Sequence, residues 1–275
     1  MWISIARMSL LVYALMASGV TAAQDTAVTE AGSAPTDSQV AAKSLLLTMA
    51  TFLADTQRYQ VDLRVGYDSV LENGQKVELG ERRRLSVERP SYVLDEVLES
   101  GSNAELILFD GKWITVNDPG AKVYSRAPQP GDIDTSVKFF VDDLGMRLPL
   151  ALMLMSQFPE ELQSRVVEVD FVTDTDILEK PTTQLAGRTK DLDFQVWISS
   201  DRQPLPLRVV LAYREAPGEP RYWVDFSNWK LNPSFLRNAF EFVPPADAEQ
   251  QTLEAQLRSD PPDTKDKPTA DPLAM

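Results

Sequence analysis

The sequence contains no cysteine and no histidine. Without cysteine there is no disulfide, so the fold must be held by its core. The thiol that a bacterial lipoprotein acylates just after its leader is also missing, which excludes lipid anchoring by that route. Without histidine there is no Ser-His triad, no Cys-His dyad and no commonest general base. The usual ligands for zinc, copper and non-haem iron are gone with it, and nothing in the sequence calls for a metal or another cofactor. Carboxylates, lysine and tyrosine remain, and two carboxylates suffice for glycoside hydrolysis. The composition therefore argues against an enzyme.

Basic residues are also scarce, with 27 Lys and Arg against 41 Asp and Glu, and the formal net charge is -14. Such a chain repels nucleic acid and anionic membrane surfaces at long range, so no nucleic-acid partner is expected. Long apolar runs are nearly absent. The one candidate, Met8 to Val20, follows Arg7 and precedes Thr21-Ala22-Ala23. It falls short of the roughly 18 to 20 residues that span a bilayer. The pattern is that of a secretory signal peptide, residues 1–23, cleaved after Ala22 or Ala23; the alternative is an uncleaved anchor helix. No later segment is long and apolar enough to span, so no stable membrane insertion is expected.

Residues 24–37 are small and polar and read as a flexible linker. "DSQVAAKSLLLTMATFLADT" reads as a helix capped by Asp37 or Ser38, with Val40, Leu45, Met49, Phe52 and Leu53 as its apolar stripe. A long β region follows. "YQVDLRVGY" alternates, placing Tyr59, Val61, Leu63, Val65 and Tyr67 on one face. After the Glu72-Asn73-Gly74 turn, Val77, Leu79, Leu85 and Val87 point inward, and the same alternation turns Glu81 and Arg83 inward too. Either Gly80 marks a bulge that re-aims them, or an Arg-Glu pair is partly buried.

"LILFDGKWITVNDPGAKVYS", Leu106 to Ser125, reads as three strands joined by two turns. Leu106 and Leu108 face one way, Ile107 and Phe109 the other. A half-buried strand should be apolar on one side only, so something covers the second face: a helix of the same chain, or a ligand. A helical insert follows. "DIDTSVKFFVDDLG" carries Val137, Phe140, Val141 and Leu144 at helical spacing with Gly145 as a stop. "LPLALMLMSQFPEEL" is apolar nearly all round, as a buried or ligand-facing helix would be. Strands then resume from "VVEVDFVT" to "PRYWVDFSNWKLN", and "AFEFVPPADA" reads as a last short strand. About ten strands with short connections exclude a parallel α/β fold. The expected fold is α+β: one large curved antiparallel sheet, an incomplete β-barrel, with helices on its concave face. The domain is expected over residues 38–247, and residues 248–275 as a disordered acidic tail.

Arg82-Arg83-Arg84 is the only basic cluster. It reads either as a grip for an acidic headgroup or partner, or as a solvated strand edge where charge blocks edge-to-edge pairing; the second is favoured. Asp170, Asp174 and Asp176 resemble a calcium loop but lack its glycine and terminal glutamate, so a solvated hairpin is expected. Asp142-Asp143 and Glu160-Glu161 are the only carboxylate pairs near helix ends. The Met- and Leu-rich segment suggests a ligand cavity lined by Leu150, Leu152, Met153 and Met155, with Trp113, Tyr124, Phe139, Phe140 and Trp197 as further lining.

"FDGKWITV", "LPLALML", "QVWISSDRQPLPLRVVLAY", "FSNW" and "FEFVPPADA", in this order, resemble an uncharacterised family of predicted periplasmic bacterial proteins. That family is similar in fold to the lipoprotein-localisation factors LolA and LolB and to the RseB sensing domain. The resemblance implies a periplasmic location and an apolar cavity, between sheet and helices, that holds a lipid or a lipoprotein acyl chain. It also implies an arginine on the inner barrel face that latches the helical lid, for which Arg83 is the candidate. A second reading stays open: a periplasmic protein-interaction or envelope-stress sensor module with a protein partner and no lipid.

Overall fold

The computed structural model describes residues 35–71, 73–98, 105–143, 150–177 and 179–253. The expected leader, Leu144, Gly145 and most of the expected tail lie outside them. The first helix, α1, is Asp37–Asp55. Thr36 caps it, rather than Asp37 or Ser38: its hydroxyl accepts from the Gln39 backbone N–H at 3.2 Å, and the Gln39 side chain accepts from the Thr36 N–H at 3.0 Å. Thr36 alone has both the extended backbone of a cap and a Gln three residues on. The buried face is Ala42, Leu46, Met49, Ala50 and Leu53. Val40, expected inward, is 56% exposed, while Leu46 is 1% exposed. Two alanines in the stripe let the helix approach closely, so its facing is not set by the largest side chains.

The sheet has twelve strands: β1 Arg58–Val70, β2 Lys76–Glu88, β3 Tyr92–Val97, β4 Leu106–Phe109, β5 Trp113–Asp118, β6 Val123–Pro128, β7 Glu168–Ile177, β8 Lys180–Arg188, β9 Leu192–Ser199, β10 Pro206–Tyr213, β11 Arg221–Leu231 and β12 Glu249–Gln251. Their order is β12-β6-β5-β4-β3-β2-β1-β11-β10-β9-β8-β7. All pairs are antiparallel except β12 with β6. The two ends, β12 and β7, do not meet, so the barrel stays open. Twelve strands replace the expected ten or so partly because "TQLAGRTKDLDFQVWIS" breaks into β8 and β9 at a turn closed by Thr189.

Register explains what faces inward. β1 and β2 pair without a shift from Arg58↔Glu88 to Val70↔Lys76. Gly80 therefore marks no bulge, and Glu81 and Arg83 do face inward. Val77 and Leu79 do not reach the core; they are exposed. Pairing of β2 with β3 begins only at Arg83↔Val97, so the outer part of β2, where Val77 and Leu79 lie, has β1 on one side and no strand paired on the other among the described residues. β2 lies between β1 and β3, which corrects the strand-edge reading of Arg82-Arg83-Arg84.

The concave face is covered by α1, by α2 (Ile133–Lys138) with the π-helical turn Phe139–Asp143, by a 3-10 turn Ala151–Leu154, and by α3 (Phe158–Arg165). The expected single helix over Leu148 to Leu162 is thus two pieces, split at Met155 to Gln157. Leu150 takes a left-handed backbone at φ 64 and Pro159 sits in the first turn of α3, so neither allows one continuous helix.

Leu108 is 2% and Phe109 4% exposed, although they are on opposite faces of β4. On that second face the chain's own C-terminal strap packs on the neighbouring strands β3 and β6. Phe240 packs on Tyr92 at 5.3 Å and on Phe235 at 5.1 Å, and Phe242 packs on Tyr124 at 5.5 Å. "AFEFVPPADA" is not a strand; Pro244 and Pro245 offer no ladder donors. The last strand lies later, at β12, and Leu253 beyond it is buried.

On the convex face, burial opposes ionisation of Asp62 and Asp68. Hydrogen bonds from Arg84 and Asn228 to Asp62, and from Arg221 to Asp68, outweigh it and hold both carboxyls below the usual range. Two predictions follow from this packing and pairing. Leu46→Ala should lower unfolding free energy by about 2 to 5 kcal/mol in urea titration, and Val40→Ala by less than about 0.5 kcal/mol; equal losses would mean that α1 faces the other way. A carboxyl held low adds stability above its unfolded pKa near 3.9 that is lost as pH falls through the folded value. Melting temperature should therefore fall below about pH 4, and less steeply in Asp62→Asn; parallel acid profiles would contradict the assignment.

Candidate functional site

The interior between the concave face and its helical cover gathers six of the nine expected lining residues. A capping box starts α2: the Asp132 carboxylate accepts from the Thr135 N–H at 2.9 Å, and the Thr135 hydroxyl accepts from the Asp132 N–H at 3.0 Å. The Ile133 N–H donates to Pro90 O at 2.8 Å, which fixes the helix to the end of β2. Asp134 in turn accepts from the Ser156 N–H at 2.8 Å, tying the end of the 3-10 turn to α2. These bonds aim Phe140, Val141, Leu152, Met153 and Met155 into the core, where Met155 is 0% exposed. Phe139, Leu150 and Leu154 lie half-buried at its margin, as do Leu63, Leu85, Val93 and Ile107 on the sheet.

Trp113, Tyr124 and Trp197 are on the convex face instead. Each is one residue out of phase with an inward neighbour: Ile114, Ser125 and Val196 respectively. Trp113 lies under the Arg126 guanidinium at 5.0 Å, and Trp197 lies under that of Arg208 at 5.7 Å. Periodicity counted from bulk rather than from register puts them on the wrong side.

Arg83 faces inward and its side chain is 14% exposed. Its Nε donates to both Asp95 oxygens at 2.9 and 3.0 Å, and its Nη1 to Glu81 at 2.6 Å. Burial disfavours its charge, but the two carboxylates keep it protonated. Burial pushes the Asp95 carboxyl up while Arg83 pulls it down. It also raises the Tyr222 hydroxyl across the same face, and the Tyr59 hydroxyl up to about 12. All of the hydrogen bonds found for Arg83 go to the sheet, and none reaches a described helix. The residue that does reach the cover is Arg89, just past β2: its Nη1 donates to Leu154 O at 2.6 Å and its Nη2 to Leu53 O at 3.4 Å. One guanidinium thus joins the end of α1, the 3-10 turn and the sheet, with its Nε buried and unpartnered. Arg89 is in phase with Val87, so alternation carried one step further places it inward; reading the strand as ended at Pro90 passed over it.

Glu81 and Asp95 are both engaged by Arg83. Glu161 is held by Arg165 at 2.9 Å, and the side chains of Asp142 and Asp143 lie outside the described ones. Asp170, Asp174 and Asp176 are exposed on edge strand β7, where Thr183 donates to Asp174 and Gln39 to Asp170. Among the described residues, no three carboxylates come together to hold a metal ion, and no helix is long and apolar enough to cross a membrane.

No curated protein matches the chain. Among solved structures it is similar to the lipoprotein LppX of Mycobacterium tuberculosis, with a TM-score of 0.42 and 14% identity over 70% of this chain and 96% of that one. It is similar to a LolA superfamily protein from Nitrosomonas europaea, with a TM-score of 0.38 and 12% identity over 73% and 97%. A chain of the Pseudomonas aeruginosa MucA/MucB complex matches with a TM-score of 0.39 and 18% identity, over 74% of this chain and 61% of that one. No residue role passes from such distant likenesses. The family described as predicted periplasmic protein DUF2092 matches residues 42–253, from within α1 to just past β12. The chain belongs to that family of predicted periplasmic proteins.

Proposed function

We propose that this chain is a non-enzymatic periplasmic binding protein that takes the acyl chain of a lipid or lipoprotein between its concave sheet face and its helical cover. The observation that carries this reading is the construction of the cover. Beside α1 and α3, it consists of a six-residue helix, a five-residue π turn and a four-residue 3-10 turn that bring in Phe139, Phe140, Leu152, Met153 and Leu154. Pieces this short have little stability of their own and rest on tertiary contacts. Methionine repacks against irregular apolar shapes more readily than branched side chains do.

An entering acyl chain has to displace the 3-10 turn. Exposing three side chains such as Leu152, Met153 and Met155 costs about 1.5 to 3 kcal/mol each. Each buried CH₂ returns about 0.8 kcal/mol. Chains shorter than roughly six to ten carbons therefore cannot open the cover, and long ones can. The rival reading, a protein-interaction module with a closed interior, draws support from the complete burial of Met155.

Native mass spectrometry of the mature protein from a periplasm, followed by titration with saturated fatty acids of increasing length, separates the two. Uptake should appear only beyond about ten carbons, and Leu152→Glu, provided its circular dichroism is native, should abolish it. A bare mass with no uptake at any length would overturn the carrier reading. Arg89→Met keeps the aliphatic stem and removes the donors. It should speed hydrogen exchange in the last turn of α1 and in residues 151–155 severalfold, with β9 and β10 unchanged; uniform protection would show that Arg89 does not fasten the cover.

A further inference from the structure

The convex face carries a row of arginines that the interior does not use. Cross-strand pairing places Arg82 (β2), Arg64 (β1), Asp225 (β11), Arg208 (β10) and Trp197 (β9) in one row across the sheet. Three arginines meet one aspartate in that row, on a chain whose net charge is -14. Arg64 and Arg82 stand directly opposite each other, both exposed, and neither has a carboxylate partner among the described residues. Like charges directly opposite across strands are unfavourable, so folding gains nothing from this pair.

The guanidiniums are nevertheless held in place. Trp223 lies over Gly66, where a Cβ would stand 2.3 Å from its ring carbons. Arg64 is 5.5 Å and Arg208 5.2 Å from the Trp223 ring centre, and Arg208 is 5.7 Å from that of Trp197. Stacking occupies the faces of a guanidinium and leaves its in-plane N–H donors free for an oxyanion. Arg208 spends one such donor on Asp225 at 2.8 Å. Arg64, Arg208, Arg221 and Trp223, with Glu78 and Asp225, line a groove of about 270 Å³ beside the row.

We infer that this arginine row binds an extended, acidic peptide segment of a partner protein, its carboxylates on Arg64, Arg82 and Arg208 and its apolar atoms on Trp197 and Trp223. A chain this acidic is repelled by an anionic membrane surface as a whole, so a local arginine row suits a discrete acidic ligand better than a bilayer. The row crosses five neighbouring strands, about 19 Å at the usual strand spacing, which suits an elongated ligand better than a single small anion.

The test uses the full mature chain and a fluorescein-labelled peptide of alternating Glu and Ser, with its Gln-Ser counterpart, read by fluorescence anisotropy. The Glu peptide should bind, weaken with rising salt, and lose at least tenfold in affinity with the double variant Arg64→Gln/Arg82→Gln. Arg208→Gln should lose as much; if it fails to fold, the double variant carries the test, because its side chains hold no described carboxylate. Acyl-chain uptake at the opposite face should be unchanged in the double variant. Equal binding of the Gln-Ser peptide, no loss in the variants, or binding of inorganic phosphate or phosphatidylglycerol vesicles without the peptide would overturn the inference.

Discussion

A sheet with a continuous apolar face has to bury it, and every other feature of this molecule answers to that constraint. The face runs from Val169 at one end, through Phe194, Val209, Val224 and Val61, to Ile114 near the other. Closing twelve strands on themselves would hide it, but the ends do not pair. Helices must therefore do it, and one helix of ordinary length, α1, is supplemented by three short pieces. The cover is wide enough to bury the face but is assembled from parts that do not hold themselves. Arg89 matters for that reason: it joins two of these parts to the sheet through backbone carbonyls rather than through side chains that could be repacked.

The class of fold was legible because a period of two is hard to mistake over strands as long as β1 and β2. Their faces followed directly, down to the inward-turned Glu81 and Arg83, whose partial burial as a pair was one of the two alternatives alternation left open. Less legible was everything set by distant neighbours. The strap on β3 and β6 comes from residues more than a hundred positions later, and proline-rich sequence gave no sign that Phe240 and Phe242 would lie on Tyr92 and Tyr124. Trp197 was misplaced because bulk suggests core, whereas an indole flat against an outward guanidinium also loses much of its water contact. The helix facing failed for a related reason: Ala42 and Ala50 are weak signals of burial on their own, but they mark where α1 comes close to its neighbours.

The two inward arginines differ in what they can do. Arg83 is neutralised by a carboxylate on its own strand and another on the next, so it is part of the wall. Removing a partner from such a pair leaves an uncompensated charge, which makes it rigid rather than responsive. Arg89 has only backbone acceptors among the described residues, and these belong to elements that can move away. A guanidinium whose acceptors are carbonyl dipoles gives them up more easily than one held by formal charge. The arginine within the strand is the structural one, and the one just past its end is suited to respond.

The opposite faces of the strands also stand under different energetic demands. Exposed ion pairs such as Arg188 with Asp193 and Lys122 with Asp247 contribute little to stability, so the convex face can carry side chains chosen for a partner at little loss of stability. The concave face has no such freedom. Leu152, Met153 and Met155 serve the core when the interior is empty, and a ligand there must replace the contacts it breaks. On the proposed readings, binding at the concave face is coupled to opening of the cover, with the helices as competitors for the same apolar surface. Binding at the convex face then competes only with water. One sheet, read at alternate residues, would thus present a site whose affinity is set by the stability of its own lid and another whose affinity is set by charge and salt.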